Sequence, residues 1–232
     1  MRILGLIPAR GGSKSVPGKN IKILEGKPLL QYTVDVAKES KFITKLILSS
    51  DDDAIINVAR NLNLEVPFKR PSHLAEENSP TLPVIQHAVN FFKAQNLHFD
   101  AVCLLQVTSP FKTTDFIDKA IKKFIETDAD SLVSIQKIPD EFNPFWAFKP
   151  NTEGYIELVS GEKEIISRRQ DLPKTYFRDG LIYITKTNVL LNKNSLYGSK
   201  ISYIESPMEG SINIDTFSDW EKAVAYLKSK KN

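Results

Sequence analysis

Thiols, histidines, long apolar runs and a surplus of either charge are all scarce in this 232-residue chain. A single cysteine, Cys103, excludes an internal disulfide and any metal cage built from several thiolates. It lies within "AVCLLQV", an apolar setting that keeps a thiol protonated and inert. His73, His87 and His98 show neither metal-ligand spacing nor the partners of a catalytic triad, so they read as structural or surface groups. No apolar stretch approaches a membrane span, and "MRILGLIPAR" lacks the length and cleavage pattern of a secretory leader. A cytoplasmic chain with no membrane partner is expected. With 31 basic and 28 acidic residues the formal charge is only +3. That is too mild to argue for nucleic acid, so any electropositive site must be local.

What is present is an ordinary globular balance, 41% hydrophobic and 25% charged, in a chain long enough for one sizeable α/β domain with an extra lobe. Short apolar runs alternate with helical-period segments. "ILGLIP", "KLILSS", "LEVPF", "DAVCLLQV" and "DSLVSIQ" read as strands, the fourth as the central one. Between them lie helical stripes: Leu30, Val34 and Ala37; Ile55, Ile56, Ala59 and Leu62; Leu82, Ile85, Val89 and Phe92; and Phe116 to Ile125. This alternation predicts an α/β fold with a mostly parallel, doubly wound sheet. Ligands of such sheets gather beyond the carboxyl ends of the strands, where the opening loop, "SSDDD" and "QVTSPFKTTD" would meet.

The pattern breaks after Gln136. Residues 137–175 are rich in proline and aromatics and read as a projecting β-rich arm, with 1–136 and 176–232 forming the α/β domain. Exposed Phe142, Phe145, Trp146 and Phe148 would suit a subunit interface. "GLIYITK" and "KISYIES" return to strands. A terminal helix follows in "SDWEKAVAYLKS", opened by a capping box of Ser218 and Glu221.

The densest signal is "IPARGGSKSVPGKN". Glycines let backbone N–H groups approach phosphate oxygens, because no Cβ stands in the way. Arg10 offers a bidentate fork, Lys14 and Lys19 are mobile point charges, and Pro17 stiffens the loop. The expectation is a polyphosphate cradle. It is no Walker loop: five residues, not four, separate Gly12 from Gly18-Lys19, and Asn20 replaces the metal-holding hydroxyl. The dinucleotide fingerprint is absent as well.

The loop resembles the opening motif of the acylneuraminate cytidylyltransferases, which include the CMP–sialic acid synthetases and their relatives for other nonulosonic acids. Four further stretches agree in the family's order: "RPSHLAEENSPT", "LLQVTSPFKT", "RRQDLP" and "SINIDTFSDW". The resemblance implies a Rossmann-like nucleotidyltransferase that joins CMP, from CTP, to the anomeric hydroxyl of a keto-sugar acid and releases pyrophosphate. Attack on an α-phosphate is mainly positioning plus neutralisation of oxygen charge. By resemblance, Arg10, Gly11, Gly12, Ser13, Lys14 and Lys19 hold the triphosphate, and Asn20, Arg70 and Thr81 fix the nucleotide. Arg10, Lys19 and Asp215 are the catalytic candidates. Magnesium falls to Asp215, with Asn213 standing where the family carries a first aspartate; a helix-start cap is the plain alternative for Asp215. Gln106, Thr108, Arg168, Arg169, Gln170 and Asp179 face the acceptor sugar. Asp179 departs from the asparagine usual in the family. The arm would cross to a second copy, making a homodimer with shared sites. A P-loop-like NTPase, use of Kdo or another nucleotide, and a non-catalytic nucleotide-sugar sensor remain alternatives at this point.

Overall fold

The computed structural model describes residues 1–13 and 15–230. Lys14 lies outside them. The strands are β1 (Ile3–Pro8), β2 (Ile23–Leu24), β3 (Lys27–Pro28), β4 (Ile43–Ser49), β5 (Ala101–Leu104), β6 (Ser131–Lys137), β7 (Phe148–Pro150), β8 (Ile156–Leu158), β9 (Tyr176–Lys186) and β10 (Ile201–Glu205). The helices are α1 (Leu29–Lys38), α2 (Asp53–Asn61), α3 (Thr81–Lys93), α4 (Thr114–Thr127), α5 (Thr187–Asn192) and α6 (Phe217–Ser229). Six strands form one sheet in the order β10-β6-β9-β5-β1-β4. β1 pairs in parallel with β4 and β5, and β10 with β6, while β9 runs antiparallel between β5 and β6. The sheet is therefore mostly parallel, with β5 among its inner strands.

Both faces are covered, which is why β1 and β5 are almost wholly apolar and buried rather than alternating. Helices α1, α2, α4 and α6 pack on one face, through Leu30, Val34, Ile55, Phe124 and Trp220 among others. The other face takes α3 and α5, through Ile85, Val89, Phe92 and Leu190. A fully buried Leu, Ile or Phe contributes roughly 1.5–3 kcal/mol. The stripes of α1 to α4 thus fix the layers. Ile125 lies off its stripe, on the solvent side of α4, at 38% exposure. Cys103 is buried, and burial pushes its thiol pKa up.

Two local expectations fail. "LEVPF" is no strand: it contributes an isolated bridge of Glu65 to Ile47, while a second bridge joins Lys69 to Ser50. Pro67 has no N–H to donate, so the ladder cannot run on between them. The capping box of α6 lies two residues earlier than Ser218 and Glu221. Thr216 Oγ1 accepts from the Asp219 N–H, and the Asp219 carboxylate accepts from the Thr216 N–H. Since Thr216 is the cap, Asp215 is freed from that role.

Residues 138–175 connect β6 to β9, whose facing ends pair Lys137 with Tyr176. They carry the β7–β8 hairpin and three short 3-10 turns. Phe142 and Phe148 are exposed, but Phe145 and Trp146 are half-buried, because the Trp146 indole N–H donates to the Ile166 carbonyl at 2.6 Å. Among the described residues, no helix is long and apolar enough to cross a membrane.

Candidate active site

Beyond the carboxyl ends of β1, β4 and β5, three loops are knitted together. The turn after β1 passes so close to the start of α2 that a Cβ on Gly11 would sit 2.5 Å from Asp52 Oδ2. Glycine is required there. The Gly11 N–H donates to Asp51 Oδ1 at 3.2 Å, while Asp52 caps α2 by accepting from Ile55 N–H at 2.9 Å. Farther along, Gly18 adopts a left-handed φ of 63° and starts the 3-10 turn Lys19–Ile21. That turn points Lys19 inward. Its side chain is largely buried, and Nζ donates to the Ile214 carbonyl at 2.7 Å and to Asp215 Oδ1 at 3.4 Å. Asn20 Nδ2 donates to the Arg10 carbonyl at 2.9 Å, and Arg10 Nη1 to the Glu76 carbonyl at 2.7 Å. The Ile214 N–H donates to the Thr108 carbonyl at 2.7 Å, which joins the loop before α6 to the loop after β5.

These loops enclose a cavity of about 410 Å³. Arg10, Ser13, Lys19, Asn20, Thr108 and Asp215 line it, together with Pro8, Ser15 and Glu77. An adjoining recess of about 180 Å³ shares Pro8 and Arg10 and adds Arg70, Thr81, Leu74 and Val84. Arg70 is buried, with Nε donating to Ser49 Oγ at 3.0 Å and Nη2 to the Ser49 carbonyl. Burial lowers its pKa to about 10, against the pull of Asp51 and reinforced by Arg10, so it stays a cation at neutral pH. A wider hollow of about 500 Å³ opens at the amino ends of β1 and β5, near Met1 and Asp100, but none of the candidate residues reaches it.

The Asp215 carboxylate is 61% exposed at the cavity. Asn213 Nδ2 donates to its Oδ2, and Asn213 Oδ1 accepts from Ser109 Oγ at 3.4 Å. In this arrangement Asn213 orients Asp215 and leaves its outer face open. No group of three or more His, Cys, Asp or Glu able to hold a metal exists among the described residues. A hard cation that takes most of its ligands from phosphate and water needs no such group, and a single carboxylate fits it.

Past the end of β5, Thr108 Oγ1 donates to Gln106 Oε1 at 3.5 Å, and a Cβ on Gly180 would lie 3.6 Å from the same oxygen. The Asp179 carboxylate does not line the cavity. It accepts from Ser134 Oγ, Ser206 Oγ and the Leu181 N–H. On the arm, Arg168, Arg169 and Gln170 are exposed and do not line the cavity either. Arg168 pairs with Asp171 at 2.7 Å and Arg169 with Asp140 at 2.6 Å.

Sequence reasoning missed Lys112. Its buried ammonium donates to the Gln106 carbonyl at 2.9 Å, to Thr33 Oγ1 at 3.3 Å and to the Ser109 carbonyl. One side chain thereby pins both ends of the turn that carries Thr108. Burial pulls its pKa down to about 7, with Cys103 and Asp179 opposing. A lysine between Phe111 and Thr113 in "SPFKT" gives no sign of burial; the contact with Thr33 of α1 arises only in the folded chain.

The chain matches a family model described as "Cytidylyltransferase" over residues 4–228. It is 33% identical over 228 residues to a pseudaminic acid cytidylyltransferase of Campylobacter jejuni, covering 98% of this chain and 97% of that one. A CMP-N,N'-diacetyllegionaminic acid synthase of Legionella pneumophila is 32% identical over 224 residues, covering 95% and 94%. An N-acylneuraminate cytidylyltransferase of Streptococcus agalactiae is 29% identical over 98% of this chain, which spans 54% of that longer protein. Among solved structures, a CMP:2-keto-3-deoxy-manno-octonic acid synthetase complexed with CTP superposes with a TM-score of 0.74 over 99% of this chain and 100% of that one. At 16% identity, that likeness concerns the fold.

Proposed function

Since the chain belongs to the cytidylyltransferase family, we propose that it transfers CMP from CTP to the anomeric hydroxyl of a nonulosonic acid and releases pyrophosphate. The observation that carries this reading is the meeting of Arg10, Lys19 and Asp215 around one cavity, from sequence positions almost two hundred residues apart. In the reaction the hydroxyl oxygen bonds to the α-phosphorus and gives up its proton to solvent. The bond from that phosphorus to the bridging oxygen breaks, and charge builds on the departing pyrophosphate. Arg10 and Lys19 offset that charge. Each is a donor held in place before the substrate arrives, so little reorganisation is needed. Ser13 and the Gly11–Gly12 backbone complete the phosphate cradle. Asn20 shapes it by holding the Arg10 carbonyl, and Arg70 and Thr81 line the recess for the nucleoside.

A divalent cation on Asp215, for which we propose magnesium, would add positive charge to the same phosphate oxygens. Lys19 lies 3.4 Å from that carboxylate, so its ammonium and an ion on Asp215 would act on the same group of phosphate oxygens. Gln106 and Thr108 face the acceptor, and Asp179 supports that side by fixing the start of β9.

The division into an α/β body, 1–136 and 176–232, and an arm, 137–175, belongs to the same reading. Phe142, Tyr155 and Ile156 are 71%, 71% and 66% exposed, an apolar tip suited to a second copy of the chain. In such a homodimer Arg168, Arg169 and Gln170 reach the partner's acceptor. A Phe142→Ser, Ile156→Ser double variant should then sediment as a monomer, and an unchanged dimer would refute the interface. The reading places the enzyme in the cytoplasm, with CTP and a free sugar acid as partners. The decisive test is a screen of CTP, GTP, UTP and ATP against pseudaminic acid, N,N'-diacetyllegionaminic acid, N-acetylneuraminic acid and Kdo, with product masses read directly. A CMP adduct of one of the first three acids is expected. No adduct with any, or turnover only with Kdo or another nucleotide, contradicts the assignment.

A further inference from the structure

Among the described residues, one guanidinium near the start of β9 has no counter-charge. Arg168 and Arg169 each hold a carboxylate, and Arg10 and Arg70 belong to the nucleotide side. Arg178, near the start of β9, is exposed, and no carboxylate pairs with it among the described residues. Its Nη1 donates to the Tyr197 hydroxyl at 2.5 Å, and the Tyr183 hydroxyl lies beside the same group. Tyr183 is mostly buried, which raises its pKa and keeps it a neutral phenol.

The backbone is built to bring these groups together. Along a regular strand, residues 178 and 183 would point to opposite faces, because side chains alternate. Here Val133 pairs with Tyr183 while Ile135 pairs with Arg178, so two residues of β6 oppose a far longer stretch of β9. The surplus forms a bulge, and bulges re-aim side chains at functional sites. Asp179 holds the bulge through Ser134, Ser206 and the Leu181 N–H. As a result Arg178 and Tyr183 share a face. Tyr183 pairs with Leu104, and both pack in the same core layer. Gln106 continues that face one step past Leu104, beside Gly180, and Thr108 links it to the cavity. Because β9 runs antiparallel to its neighbours, its beginning lies at the same rim as the ends of β1 and β5.

We propose that Arg178, seated on Tyr197 and Tyr183, binds the carboxylate of the acceptor acid from within the same subunit. This assignment rests on the function proposed above. A planar fork of donors matches a carboxylate, and the phenol hydroxyls can turn to donate to its oxygens. In a keto-sugar acid the carboxylate is attached to the anomeric carbon, so holding it orients the reacting hydroxyl.

The test uses the full-length protein, whichever of the three nonulosonic acids it turns over best, and the C1 methyl ester of that acid. Arg178→Gln is expected to lower kcat/KM for the acid on the order of ten- to hundredfold, mostly through KM. It should leave kcat/KM for the ester and CTP affinity by calorimetry unchanged. Arg178→Lys should recover part of the loss. Acid kinetics within twofold of wild type in Arg178→Gln, or equal losses with acid and ester, would overturn the assignment while leaving the function standing. A wild-type protein that turns over none of the acids would overturn both.

Discussion

Removing the charge of Lys19 while keeping its length, as in Lys19→Met, separates the catalytic role of the opening loop from its structural one. In the free protein the ammonium makes one good hydrogen bond, to the Ile214 carbonyl at 2.7 Å, and a looser contact with Asp215 at 3.4 Å. A hydrogen bond from a charged donor contributes about 1.5–3 kcal/mol. The Asp215 pair adds at most about 1 kcal/mol, because that carboxylate is 61% exposed and screened by solvent. Methionine regains part of this by placing an apolar chain in a largely buried slot. The expected loss of stability is therefore about 1–2 kcal/mol, read as a lower urea midpoint with unchanged m-value. The rate should fall further. Withdrawing one preorganised donor from developing phosphate charge costs on the order of 3 kcal/mol, roughly a hundredfold in kcat. Pyrophosphate release measured at saturating CTP and acid, below the unfolding midpoint, reads that term alone. A variant that loses stability but keeps wild-type kcat would refute the reasoning, leaving Lys19 a tether between the first loop and the last.

Three further perturbations separate other parts of the site. Asp215→Ala should lower the unfolding free energy in urea by at most about 1 kcal/mol, the limit for its pair with Lys19, since Thr216 rather than Asp215 caps α6. It should also abolish turnover and divalent-ion binding in the presence of CTP, as followed by calorimetry; retained ion binding contradicts the metal assignment. Gly11→Ala pushes a methyl into Asp52, the cap of α2, and should cost about 1–2 kcal/mol in urea unfolding; a neutral effect would refute the close-approach argument. Lys112 has a folded pKa near 7 and an ordinary value of 10.5, so above pH 7 the unfolded chain carries a proton that the folded one has shed. Stability then rises with pH, by at most about 1.4 kcal/mol per unit. The gain stops near pH 9, where the unfolded Cys103 thiol ionises while the buried one stays protonated. Unfolding curves at pH 7, 8 and 9 should show this slope in wild type and lose it in Lys112→Met; equal slopes would contradict it.

The parallel core was legible because a strand buried on both faces has only one way to look: "ILGLIP" is β1 to the residue. Helix stripes were equally plain, since burial on one side imposes the 3.6-residue period. The direction of β9 was not. "GLIYITK" is as apolar as its neighbours, and nothing local to it says which way it enters the sheet. The bulge that assembles Arg178 with Tyr183 depends on register with β6, a relation between distant segments that no window of sequence contains. For the same reason the cavity lining supplied by the opening loop was easier to name than residues outside it. Arg10, Ser13, Lys19 and Asn20 sit within one loop, whereas Lys112 and Arg178 acquire their surroundings only through tertiary contact. The α6 cap was misplaced because Thr216 with Asp219 and Ser218 with Glu221 carry the same four-residue pattern, and only the chain's entry angle chooses between them.

In the function proposed above, the turn after β1 and Asp215 act on one nucleoside triphosphate. A crystal structure of the protein with CTP and manganese tests it most directly, since anomalous scattering locates the ion independently of the ligand. The β- and γ-phosphates are expected against Arg10 and Lys19, with the ion bound to Asp215 and phosphate oxygens. A triphosphate bound elsewhere, or an ion held away from Asp215, would contradict it.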